Sequence, residues 1–127
     1  MRSGKTKTPL IAVVDDDESV RESLIGFLES MGFAVVAFSS AEAFLKSDSL
    51  GVADCLLLDV RMPDISGPEL QRRLAKSHHQ APIIFITSHA DDNIRTRVLK
   101  DGAVAFLLKP FNDDVLVKTI HTALELG

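Results

Sequence analysis

The chain has no tryptophan and no tyrosine, so no large side chain with a polar tip is available to flank a planar cofactor ring. It has a single cysteine. A lone thiol cannot close an internal disulfide, and Cys55 lies inside an apolar run, where it reads as a small buried hydrophobe. That usage fits a reducing compartment, and a cytoplasmic protein is expected. No apolar stretch approaches the ~20 residues of a membrane span. Arg2, Lys5 and Lys7 precede Leu10–Val14, but that run is shorter than a signal h-region of about 7–15 residues. Residues 1–8 are expected to be a solvated tail. A basic excess is also lacking, since 14 Lys and Arg stand against 18 Asp and Glu, a net charge of −4. That balance leaves no footprint for nucleic acid, which favours a basic face.

At 127 residues the chain is of single-domain size and long enough for a real core. Residues 9–127 are expected to form that one domain. Its apolar residues come in short continuous runs, each stopped by a polar group. Leu10 to Val14 meets Asp15-Asp16-Asp17. Cys55 to Leu58 meets Asp59. Ile83 to Ile86 meets Thr87-Ser88, and Val104 to Leu108 meets Lys109-Pro110. Such runs read as strands buried on both faces, the habit of parallel sheets.

Helical signals lie between them. Ser19 to Ser30 carries a stripe of Val20, Leu24, Phe27 and Leu28, with Ser19 and Glu22 fitting a capping box and Gly32 placed to end the helix. Phe33 to Phe38 reads as a further strand. Ser39 to Glu42 offers a second capping box, opening a short helix through Lys46. Pro68 suits the first turn of a helix to about Lys76. Asp91 to Lys100 forms another, stopped by Gly102, and Asn112 caps a last one through Leu126. Strand-helix units repeated five times give an α/β fold with a parallel sheet covered on both faces. Right-handed crossovers leave few topologies, and the commonest five-strand order is 2-1-3-4-5. In that order strands 1 and 3 are neighbours. Asp15, Asp16 and Asp59 then share the carboxyl edge at the switch point, where open α/β sheets place their sites.

Three carboxylates so close repel one another, and a divalent cation relieves this. All-oxygen ligands favour a hard ion such as Mg²⁺. Asp15 to Asp17 alone would make an ordinary solvated helix cap, but Asp59 ends the adjacent strand independently. A carboxylate there is able to act as a nucleophile toward phosphorus. Phosphoryl transfer then needs positioning and charge neutralisation, to which Lys109 can contribute. Thr87 can offer a hydroxyl to a phosphoryl oxygen.

In these motifs the chain resembles the receiver domains of bacterial two-component response regulators, over roughly residues 9–126. The resemblance rests on Val14-Asp15-Asp16-Asp17, on Leu58-Asp59-Val60-Arg61-Met62-Pro63-Asp64-Ile65-Ser66-Gly67, on Ile86-Thr87 and on Leu108-Lys109-Pro110-Phe111, in that order. It implies the flavodoxin-like (CheY-like) (βα)5 fold. It also implies that Asp59 is the phosphoacceptor, loaded by a sensor histidine kinase. Asp16 and Asp59 would bind Mg²⁺, with Asp15 doing so directly or through water and the main-chain carbonyl of Arg61 adding a ligand. Lys109 would pair with Asp59 or the phosphoryl group, and its bond to Pro110 would be cis. Thr87 and Phe106 would form the switch, although a permanently buried Phe106 is equally compatible with its lack of a hydroxyl. Arg61 and His89 would tune the phosphoryl lifetime. Such a domain is regulatory rather than an enzyme, taking part only in its own phosphotransfer and autodephosphorylation. The wording is most similar to the FixJ-type subgroup, whose receivers normally precede a LuxR-type helix-turn-helix domain. The chain is then either one domain of a longer transcription regulator or a stand-alone receiver. A phosphorylation-dependent homodimer through helix 4, strand 5 and helix 5 is implied as well, set against two merely solvated helix faces.

Two other classes fit less well. A haloacid-dehalogenase-type phosphatase needs Asp-x-Asp-x-Thr after its first strand, whereas Asp15-Asp16-Asp17-Glu18-Ser19 ends in serine. A flavin carrier needs a phosphate loop there, and this loop is acidic.

Overall fold

The computed structural model describes residues 8–77, 79, 81–89 and 91–126. The expected tail at residues 1–8 therefore lies almost wholly outside the described residues. Elements alternate as β1 (Leu10–Val14), α1 (Glu18–Ser30), β2 (Ala34–Phe38), α2 (Ala41–Leu45), β3 (Cys55–Asp59), α3 (Gly67–Lys76), β4 (Ile83–Thr87), α4 (Asp92–Lys100), β5 (Ala105–Leu108) and α5 (Asp113–Leu126). Among the described residues the five strands form one parallel sheet of order β2-β1-β3-β4-β5. The expected fold and strand order are both present.

Burial follows from position in the sheet. β3 and β4 are buried at every residue and β1 at all but its first. The edge strands β2 and β5 are only half covered. Alternate side chains point to opposite faces, and this divides the core in two. Ala12, Val14, Leu56, Leu58 and Phe85 pack with Phe44 of α2, Leu70 and Leu74 of α3, and Val98 of α4. Ile11, Val13, Leu57, Ile84 and Ile86 pack with Leu24 and Leu28 of α1 and with Leu116 and Ile120 of α5. Cys55 belongs to this second layer, and burial pushes its thiol up to about 12, so it stays neutral.

Two helix starts differ from expectation. Asp17, not Ser19, caps α1, its Oδ1 accepting from the amides of Ser19 at 2.9 Å and Val20 at 3.3 Å. A carboxylate answers the positive helix end better than a hydroxyl, and Asp17 is the nearer of the two to the strand. The second box is replaced by Ser40, whose Oγ accepts from the Ala43 amide, while Asp64 reaches across to accept from Glu42 N at 2.7 Å. Pro68 lies in the first turn of α3, and Asn112 caps α5 by accepting from Asp114 N and Val115 N. Gly32 and Gly102 follow α1 and α4 at φ 94° and 109°, the left-handed region that favours glycine. A short 3₁₀ turn at Asp48–Gly51 was not anticipated by any pattern in the sequence. No described helix is long and apolar enough to cross a membrane.

Candidate functional site

In the pairing of β1 with β3, Val14 stands opposite Leu58. The next residues, Asp15 and Asp59, therefore leave the sheet side by side. One carboxylate oxygen from each of Asp15, Asp16 and Asp59 lies within 4.8 Å of the others. β4 delivers Thr87 and β5 delivers Lys109 to the same edge. Asp16, Asp17, Asp59, Arg61, Ser88, His89 and Lys109 line a crevice of about 260 Å³ there.

The three carboxylates are not equivalent. Asp15 is fully buried, and every polar group it has is bonded. Its N–H donates to Phe38 O and its carbonyl accepts from Arg21 Nη1 at 2.8 Å. Its Oδ1 accepts from Asp17 N at 2.9 Å and its Oδ2 from Lys109 Nζ at 2.8 Å. Asp59 is 8% exposed, and its Oδ1 accepts from the Val60 amide at 2.8 Å. Lys109 Nζ stands 3.9 Å from Asp59 Oδ2, so the lysine's short contact is with Asp15. Burial, then the Asp15 charge, push the Asp59 carboxyl up to about 6; Lys109 and the Val60 amide pull the other way, and Asp16 adds a further rise. Asp16 is exposed.

The remaining residues named from the sequence fall as follows. Thr87 is buried, and its Oγ1 accepts from His89 N at 3.2 Å. The Lys109 amide donates to Thr87 O, and the Lys109–Pro110 peptide is cis. Arg61 and His89 are exposed at the crevice wall. Phe106 is not among the crevice residues; it is half-buried, against the layer holding α3 and α4.

Two contributors escaped the sequence reading. A Cβ on Gly67 would lie 2.2 Å from the Asp59 carbonyl oxygen and 2.8 Å from Phe85 Cε1, so only glycine lets α3 start against the strand. Arg21, one turn into α1, holds the Asp15 carbonyl. Gly67 was legible only as the last residue of the 58–67 motif and not as a close approach, and the Arg21 bond to main chain leaves no pattern in the sequence. A larger cleft of about 450 Å³ adjoins the crevice between α1 and the β5–α5 loop, lined by Val20, Leu24, Phe27, Pro110 and Phe111 as well as Lys109. It is mostly apolar, whereas Asp16, Asp59 and Lys109 line the smaller acidic crevice.

The donor set is all oxygen, anionic and open to solvent on one side through Asp16. That chemistry fits a hard divalent ion that keeps some of its water, such as Mg²⁺.

Known proteins give the same reading. The response regulator receiver domain family matches residues 11–121. The response regulator protein TmoT of Ectopseudomonas mendocina is 45% identical over 118 residues, covering 93% of this chain and 54% of that protein. The transcriptional regulatory protein FixJ of Bradyrhizobium diazoefficiens is 41% identical over 114 residues, 90% of this chain and 56% of that protein. The crystal structure of FixJ-N superposes with a TM-score of 0.84 at 41% identity, covering 94% of this chain and 95% of that one. The chain thus spans about half the length of these curated relatives. With its site, its strand order and these matches in agreement, the chain belongs to the response regulator receiver domain family.

Proposed function

We propose that the chain is a phosphorylation-operated switch whose acceptor is Asp59. The observation that carries this is the meeting of three carboxylates and a lysine at the carboxyl edge of β1, β3 and β5. Asp59 Oδ2 attacks phosphorus; an Oδ–P bond forms, the donor's bond to phosphorus breaks, and the leaving group takes up a proton. The natural donor in this reading is a phosphohistidine on a sensor kinase, so the bond that breaks is P–N.

Asp16 and Asp59 would hold Mg²⁺, with Asp15 directly or through water and the Arg61 main-chain carbonyl alongside. When bound, Mg²⁺ supplies neutralisation of the negative charge that gathers on carboxylates and phosphoryl oxygens. Lys109 carries the remaining positive charge, and its 3.9 Å separation from Asp59 leaves it able to pair with a phosphoryl oxygen. Thr87 would donate its hydroxyl hydrogen to that group, a capacity its acceptance from the His89 amide leaves free. Its departure would free space toward β5, where Phe106 would turn inward. Arg61 and His89, on the crevice wall, would govern how readily water attacks the aspartyl phosphate, and so its lifetime.

The readout surface would be α4-β5-α5. Arg95, Arg97 and Lys100 lie on α4 and Asp113 and Asp114 open α5, basic and acidic groups on two helices that a two-fold homodimer would pair twice. The FixJ relative is named as a transcriptional regulatory protein, and by likeness this chain would control a transcriptional output without binding nucleic acid itself.

The test is direct. Incubated with Mg²⁺ and acetyl phosphate, the wild type should gain one phosphate, mapped by mass spectrometry to Asp59, and Asp59→Asn should gain none. Labelling of another carboxylate, or none in the wild type, would overturn the assignment.

A further inference from the structure

Gln71 occupies the buried face of α3 between Leu70 and Leu74, and is only 4% exposed. A buried amide is costly unless its groups are bonded. Its Nε2 donates to Val98 O at 3.0 Å. That carbonyl lies in the last turn of α4, where helices leave their carbonyls unsatisfied, and it also accepts from Ala103 N at 2.9 Å. Gln71 therefore caps the C-terminal end of α4 from a different helix. Its other amide atom, Oε1, is buried with no partner among the described residues.

The same helix is pressed against the acceptor. Gly67, the first residue of α3, leaves no room between itself and the Asp59 backbone, and its N–H donates to Val60 O at 2.8 Å. Gln71 is one turn further on, the spacing that places two residues on one face. An unbroken series of contacts thus runs from the Asp59 carbonyl through Gly67 and Gln71 to Val98. Beside it a cleft of about 180 Å³, lined by Gln71, Leu74, Asp101 and Gly102 among others, leaves the seam space to move.

We propose that Gln71 is a positioning residue that couples the backbone of the phosphoacceptor strand to the C-terminal turn of α4. The inference rests on the receiver reading above. A shift of the Asp59 backbone on phosphorylation has to displace Gly67, since the contact has no slack. A helix moves as a rod, and the amide carries that movement into α4. Oε1 is buried with no partner among the described residues, and a movement that parts α3 and α4 would let water from the cleft reach it.

Amide exchange in the segment from Val98 to Val104 provides the test, measured with and without Mg²⁺ and beryllofluoride, a stable phosphoryl mimic. Gln71→Met keeps the shape and removes both amide groups; Gln71→Asn keeps the amide but cannot span the gap, and serves if methionine repacks the seam. In the wild type the mimic should change exchange in this segment. In both variants acetyl phosphate should still label Asp59, while the response of the segment should fall by about threefold or more, within the range a coupling residue carries. Beryllofluoride affinity should move as well, since coupling is reciprocal. A purely structural role would lower protection with and without the mimic and leave the response intact, which would overturn the proposal. A wild-type segment that ignores the mimic would overturn it too. Failure of acetyl phosphate to label wild-type Asp59 is a separate result and would remove the receiver reading itself.

Discussion

Asp59→Asn should stabilise the metal-free protein, by an amount that depends on pH. The Asp59 carboxyl is pushed up from 3.8 to about 6, first by burial and then by the Asp15 charge. The folded state therefore holds this proton more tightly than the unfolded state. Stability from this group is fully present below pH 3.8 and is lost as pH rises through 6. The full shift corresponds to about 3 kcal/mol at pH 7.5. Solvent at the mouth of the crevice screens part of that, leaving about 1–2 kcal/mol. Asparagine keeps an oxygen for the Val60 amide and loses the charge, so the variant recovers this amount. In a chain of this size that is a rise of about 3–8 °C in melting temperature.

The assay is urea unfolding in EDTA between pH 4 and 7.5, followed by circular dichroism because the chain has no tryptophan or tyrosine to report. The gain should be largest at pH 7.5 and fade toward pH 4. A variant no more stable than wild type at pH 7.5, or a gain independent of pH, would refute the reasoning.

Mg²⁺ should stabilise the wild type by about 2.7 kcal/mol at 100 times its dissociation constant, through linkage of binding to folding. Asp16→Ala should lose most of that gain, and a wild-type melting temperature indifferent to millimolar Mg²⁺ would sink the metal site. Gly67→Ala should cost about 3 kcal/mol, toward the upper end for overpacking, because its Cβ meets backbone rather than a flexible side-chain tip. Urea midpoints within experimental error of wild type would show that β3 and α3 separate freely. Sedimentation with and without beryllofluoride tests the α4-β5-α5 dimer. Association should appear with the mimic and weaken with salt, as exposed pairs worth under about 1 kcal/mol each do, whereas a monomer in both conditions at tens of micromolar excludes it.

The strands were legible because each apolar run is the length of one strand and ends on a polar residue, and their order because right-handed crossovers leave few topologies for five strand-helix units. The helices were legible in extent but not in their first residues. Asp17 and Ser19 are both competent caps, and sequence alone does not say which reaches the amides; the choice depends on where Asp15 is anchored by Arg21, Lys109 and Phe38. The acidic cluster was legible because strand ends in a parallel sheet share an edge. The partner of Lys109 was not, since Asp15 and Asp59 offer identical groups and differ only in burial. Gly67 was legible as part of a motif but not as a close approach, and Arg21 and Gln71 were not legible as participants, because a side-chain bond to main chain leaves no pattern in the sequence.

Burial also explains how three like charges coexist at one edge. The Asp15 carboxylate, with no access to water, is answered by the short contact with Lys109 on one oxygen and by the Asp17 amide on the other. Asp16 needs no protein partner because it stands in solvent. Asp59 lies between these extremes: it is too buried for hydration to settle its charge, and its lysine is drawn 3.9 Å away by Asp15. It keeps an oxygen, Oδ2, without a hydrogen bond among the described residues, and a carboxyl raised to about 6. An incompletely satisfied carboxylate is the one most improved by gaining a cation or a proton. Burial comes first in raising the Asp59 carboxyl, and Asp15 adds to it, by its charge and by taking the short contact with Lys109.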